Sequence, residues 1–220
     1  MTTNSIRRNL PLLVLVGALA VPAGAAAVAA GATRAPAWAA PISERSLREA
    51  MRKLWTDHVV WTREYVVAAV AGTPDAGAAA KRLMKNQEDI GHAIVPFYGR
   101  EAGDKLTALL KDHIGIAVDL IAAAKSSNQA AFEAANRKWN QNASDIAAFL
   151  AGANPNWPAA ALTDAMNRHL ETTRREVVAR LQKNYDEDVR AFDAVVEHIL
   201  HMADVLADGI VKQFPQKFAE

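Results

Sequence analysis

From residue 40 onward, apolar side chains recur at intervals of three and four, and no stretch alternates apolar with polar as a half-buried strand would, so the pattern predicts helices throughout. Proline and glycine fall between the apolar stripes and mark the boundaries. A first helix is expected over 46–71, opening on a Ser46/Glu49 capping box and stopped by Gly72-Thr73-Pro74. A shorter, broken helical region covers 75–94, ahead of Pro96-Phe97-Tyr98-Gly99. Further long helices are expected over 101–124, from beyond Asn128 to 151, over 158–182 and over 186–213, with Gly152 to Pro158 as the clearest break. Short connections between long helices imply antiparallel neighbours. The expected fold class is therefore all-α, an antiparallel bundle of about five long helices.

The first 39 residues follow another pattern. Arg7 and Arg8 precede an uncharged apolar stretch over 10–32, and Ala37-Trp38-Ala39 then offers an A-x-A cleavage pattern, the arrangement of a secretory signal peptide. The run is long enough to cross a bilayer, but Pro22, several glycines and the excess of alanine over leucine favour cleavage over anchoring. The expected organisation is a cleaved leader over 1–39 and a single bundle domain over 40–220. The product would be exported to the periplasm, cell envelope or extracellular space, with no integral membrane span after cleavage. The paired arginines also fit, loosely, the twin-arginine route.

Composition narrows the chemistry. About half of the 220 residues are hydrophobic, enough for one sizeable core, and 25 Lys+Arg against 24 Asp+Glu give no basic excess for a nucleic-acid partner. The absence of cysteine removes disulfides, thiol catalysis, Fe–S clusters and Cys-ligated zinc. No serine sits in a nucleophile elbow and no glycine loop precedes a helix as a phosphate cradle, so the reading leans away from an enzyme.

Histidine placement carries the sharpest clue. His58, His113, His169 and His198 each fall near the middle of an expected long helix, and helices of similar length packed side by side bring their midpoints to one level. Helical spacing turns His58 and His113 inward, puts His169 at the edge of its stripe and sets His198 beside small neighbours. Inward imidazoles at one level can ligate a transition metal (Zn, Cu or Fe) or supply the axial pair of a b-type haem; otherwise each is a core histidine hydrogen-bonded to a neighbour. Glu176 lies two turns beyond His169, too far along the axis to join the same ion, and no paired Glu-x-x-His marks a di-iron bundle.

A faint internal repeat accompanies these residues. His58, Thr62, Arg63, Val66, Val67 and Ala68 match His169, Thr173, Arg174, Val177, Val178 and Ala179, and His113, Ile114 and Asp119 match His198, Ile199 and Asp204 in the same order. Two duplicated helical hairpins joined by a linking helix would explain this. Glu197, His201, Asp204 and Asp208 share one face of the last helix as a weak surface cation site or a solvated charged face. His92 is expected in a loop. Trp55, Trp61, Trp139 and Trp157, with the Pro96-Phe97-Tyr98 turn, offer either a glycan groove or core packing.

Leu54-Trp55 with His58 and Trp61-Thr62-Arg63, the Pro96-Phe97-Tyr98-Gly99 turn, Ala147-Ala148-Phe149-Leu150 with Asn154-Pro155-Asn156-Trp157, and Met202-Ala203-Asp204 through Gly209-Ile210 to Gln213-Phe214-Pro215 together resemble an uncharacterised family of exported bacterial helical-bundle proteins. The similarity spans about residues 50 to 215. The resemblance implies an exported bundle and brings no catalytic residues. Labels attached to that family, glycosyltransferase and acetylglutamate kinase, do not suit a chain without strands to hold phosphate-binding loops. The functional expectation is an exported bundle that holds a metal or haem through His58, His113, His169 and His198, for storage, sensing or electron transfer. The alternatives are a cofactor-free envelope component that contacts a protein partner, and a glycan-handling protein.

Overall fold

Helix α1 (Glu44–Ala71) begins where Ser43 takes extended backbone and its Oγ accepts the Ser46 N–H at 3.0 Å, and it ends where Gly72 turns left-handed with φ 75°. The cap is thus one turn earlier than the expected Ser46/Glu49 box. Ser46 is a donor to the cap, and Glu49 pairs instead with Arg45. The computed structural model describes residues 42–219; the expected leader over 1–39 lies outside them.

Helix α2 (Ala76–Lys125) contains Pro96 and departs from helical backbone at Gly99, with φ 84° and ψ 169°. It is therefore two limbs, 76–98 and 100–125. Pro96 costs one backbone hydrogen bond but does not end the first limb; the change of direction waits for Gly99, whose backbone only glycine adopts readily. The limbs fold back on one another where Gly91 meets Gly103, so closely that a Cβ on either would lie 2.6–2.7 Å from the other's carbonyl oxygen. Lys111 reaches across to Glu88 at 2.6 Å. His92, expected in a loop, is on the exposed helical face of the first limb.

Helices α3 (Gln129–Ala153), α4 (Ala159–Leu181) and α5 (Tyr185–Gln213) complete an all-α bundle. Asn128 and Asn184 cap α3 and α5 by accepting the N–H of Ala131 and Glu187, and Asp186, Glu187 and Asp188 suit the positive end of α5. Packing runs in a closed ring: α1 lies along α2 and α5, α3 along α2 and α4, and α4 along α5. Because α3 stands between α2 and α4, the two histidine-bearing hairpins meet mainly along α1 and α5. One large core fills the ring, with Trp55, Trp139 and Trp157 inside it.

One end of the bundle is an aromatic plug. Tyr98 donates to Gln213 Oε1 and accepts from Asn154 Nδ2, both at 2.8 Å, against the rings of Trp157 and Phe214. Phe97 stacks on Phe218, and the two-residue strands β1 (Ile42–Ser43) and β2 (Phe218–Ala219) pair in parallel beside it. Replacing Gly99 by alanine forces a side chain into a backbone region reserved for glycine while meeting no neighbouring atom; urea unfolding should register a loss of about 1–3 kcal/mol from backbone strain alone.

Candidate functional site

Each of the four mid-helix histidines is buried, at 3% exposure for His58 and His113, 5% for His169 and 8% for His198, and their rings form one layer. His169 is central. Its ring centroid lies 5.7 Å from that of His58, 5.7 Å from that of His113 and 6.4 Å from that of His198. The convergence follows from length: each histidine is near the midpoint of α1, the second limb of α2, α4 or α5.

The ring nitrogens are not equivalent. Asn142 donates its Nδ2 to the Leu109 carbonyl at 3.0 Å, which leaves its Oδ1 as acceptor for His113 Nδ1–H at 2.7 Å. Trp139 Nε1 then donates to His113 Nε2 at 3.1 Å. His113 is thereby fixed as one neutral tautomer with both nitrogens in use. His198 donates its Nε2–H to the Ala165 carbonyl at 2.9 Å, which commits one of its nitrogens. His58 Nδ1 and His169 Nδ1 are buried with no hydrogen-bond partner.

The ties around this layer share one design. Asn86 Nδ2 bonds the Leu54 carbonyl, Asn142 Nδ2 that of Leu109 and His198 Nε2 that of Ala165, in each case the carbonyl four residues before a layer histidine. A helix carbonyl has a second lone pair, and here it joins adjacent helices at the histidine level. The sequence reading missed Asn86, Gln87 and Asn142, which are 0%, 0% and 6% exposed. A signal was present: each falls at a core phase of its helix, between Leu83 and Ile90 or between Trp139 and Ile146.

Burial disfavours charge on all four rings. It drives His58 down to about 3, helped by the neighbouring His113 and opposed by the Gln87 side chain, and His113 down to about 4 against the opposing bond from Asn142. His169 is held well below the ordinary histidine range by burial and by the three rings around it, and burial lowers His198 too. The layer is neutral at pH 7.

Two small cavities flank the layer, and His58, His113 and His169 line both. One, of about 30 Å³, is otherwise apolar, walled by Trp55, Trp157, Met51, Met166, Met202 and aliphatic side chains. The other, of about 20 Å³, is edged by Thr62, Thr173 and Arg174. Each has room for an ion or one or two waters. Neither can take a haem macrocycle, so the b-type haem expectation does not fit this layer.

The buried carboxylates stay away from the rings. Arg63 donates to Glu176 at 2.7 Å and in a fork to Asp188 at 2.9 and 3.0 Å, and Arg180 donates to Asp188 at 3.2 Å. Glu176 and Asp188 are each 1% exposed. Burial pushes Glu176 up to about 7 despite Arg63. At Asp188 burial acts the same way, but Arg63 and Arg180 outweigh it and hold the carboxyl below its usual range. Glu176 thus answers an arginine, not His169.

Other expectations resolve simply. Asp204 and Asp208 on α5 are paired with Arg52 and Arg48 of α1, and Glu197 and His201 are exposed; the face is a charged, paired one and no cation site. Trp55, Trp139 and Trp157 are at most 5% exposed, so they are core and not a glycan groove. Among the described residues no group of three or more His, Asp or Glu side chains is arranged to hold a metal ion, and no helix is long and apolar enough to cross a membrane.

Fold and site together define an all-α bundle built around a buried layer of neutral imidazoles. Comparison of the chain with models of protein families, with curated proteins and with solved structures found no match.

The layer makes stability depend on pH. In the unfolded chain the imidazoles titrate near 6.5, so their contribution is complete above about 6.5 and is lost as pH falls toward 4 and 3. Glu176 acts in the opposite sense, its contribution being complete below about 4.5 and lost as pH rises through about 7, but it is one group against several. Between about pH 7 and 5 the metal-free protein should lose on the order of 4 kcal/mol of unfolding free energy. Urea titrations across that range check it; a flat profile would mean that protons reach the rings in the folded state.

Proposed function

We propose that this is an exported bundle that holds one transition-metal ion between His58 and His169, serving storage, sensing or electron transfer and not bond-making. The observation that supports the reading is the pair of buried Nδ1 atoms without partners, on rings 5.7 Å apart that line one small cavity. Each such nitrogen costs about 1–3 kcal/mol when left unsatisfied, and a bound ion would recover that cost. His113, locked by Asn142 and Trp139, supports the layer from outside the ligand pair. No general acid or base accompanies the rings, because Glu176 and Asp188 are held by arginines.

The reading is tested by metal content. Purified protein incubated anaerobically with Zn(II), Cu(I) or Fe(II) and then desalted should retain about one ion per chain of at least one metal. His58→Ala combined with His169→Ala should abolish retention, while His92→Ala combined with His201→Ala, at exposed positions, should leave it intact. Circular dichroism confirms that each variant is folded. Protein that retains no ion, or a His58/His169 double variant that retains as much as wild type, overturns the proposal.

A further inference from the structure

Two imidazoles alone do not complete the shell of a divalent ion, and the cavity wall says what else is within reach. Met51, Met166 and Met202 are 3%, 6% and 5% exposed and line the same small cavity as His58 and His169. Their spacing is regular: Met51 lies two turns before His58 on α1, Met166 one turn before His169 on α4, and Met202 one turn after His198 on α5, so each shares its helix face with a layer histidine. We infer that the ion is cuprous copper, held by His58 and His169 together with the thioether of Met166, of Met202 or of both; Met51, as far along its axis from His58 as Glu176 is from His169, serves as cavity wall. This rests on the reading given under Proposed function and narrows it.

Three observations carry the assignment. First, the donor types match: thioether sulfur is a soft ligand that selects Cu(I), whereas Zn(II) and Fe(II) favour added thiolate, imidazole or carboxylate. Second, the charge matches. No carboxylate lines the cavity, and the nearby buried acids are consumed by Arg63 and Arg180. A divalent ion would bring two uncompensated charges into an apolar interior; a monovalent one halves the charge and lowers the Born cost about fourfold. Third, the reach matches. Methionine is unbranched with three rotatable bonds, so its sulfur can turn from packing to ligation without moving a helix. A core-filling role alone would account for methionine on the cavity wall, but it leaves the two imidazole nitrogens without partners.

The test uses the full-length purified protein under anaerobic conditions, with Cu(I) supplied as its bicinchoninate complex, Ag(I) as a redox-inert stand-in and Zn(II) as the borderline competitor. One Cu(I) and one Ag(I) per chain are expected, with Cu(I) bound at least about 1,000-fold more tightly than Zn(II), or about 4 kcal/mol. Met166→Leu and Met202→Leu conserve volume and leave folding largely intact. Combined, they should weaken Cu(I) about 100-fold or more while leaving any Zn(II) binding unchanged. X-ray absorption of the Cu(I) form should show sulfur as well as nitrogen in the first shell. Tight Zn(II) binding in preference to Cu(I), or Cu(I) binding indifferent to both leucines with nitrogen alone around the copper, overturns the inference and leaves the histidine reading standing. Failure to bind any of the three ions, together with no retention of Fe(II), removes both.

Discussion

A neutral imidazole buried among apolar side chains needs a donor and an acceptor, or else bears the cost of the nitrogen left over, and this bundle gathers four of them at one level. Everything around that level answers the requirement. The Asn142 amide fixes the His113 tautomer and ties α3 to α2 through the Leu109 carbonyl. His198 satisfies one nitrogen on the Ala165 carbonyl and so ties α5 to α4. Asn86 does the same for α1 and α2 through Leu54. The polar layer therefore sets the register of the rods against each other, a specificity that aliphatic packing supplies only loosely.

Charge is sorted along the bundle in a way that keeps the layer neutral. Arg63 and Arg180 collect the two buried acids, Glu176 and Asp188, about two turns of α4 beyond His169, with Phe192 beneath the Arg63 guanidinium. Had Glu176 turned toward His169, the carboxylate would have raised the ring's proton affinity and favoured imidazolium. Pairing it with Arg63 leaves the imidazole lone pairs free of protons at pH 7, the state in which they can act as donors to a metal.

The legible and illegible parts of the sequence divide along a physical line. Helix limits depend on local backbone demands, and Gly72, Gly99, the Asn154–Pro158 segment and Pro215 announced them. Even there a single residue could mislead: Pro96 suggested an earlier stop, but the helix absorbs it and turns only at Gly99. The histidine level was readable because it needs only helix lengths and midpoints. The partners of each ring were not, because they come from other helices and no local pattern says that Asn142 faces His113 or that Gln87 sits near His58. The methionines were hidden for another reason: a thioether at a core phase looks like any aliphatic side chain until a cavity shows what it shares.

The same asymmetry appears across the layer itself. On the side toward Trp157 its walls are thioether, indole and aliphatic; on the other they carry the hydroxyls of Thr62 and Thr173 and the guanidinium of Arg174. Thr62 spends its hydroxyl on the His58 carbonyl at 2.7 Å, whereas Thr173, its counterpart in the internal repeat, leaves Oγ1 without a partner, as Arg174 leaves Nε. Residues that match in sequence thus hold different hydrogen-bonding states. α1 lies along α2 and α5, whereas α4 lies along α3 and α5, so matched side chains meet unlike neighbours and cannot be satisfied identically.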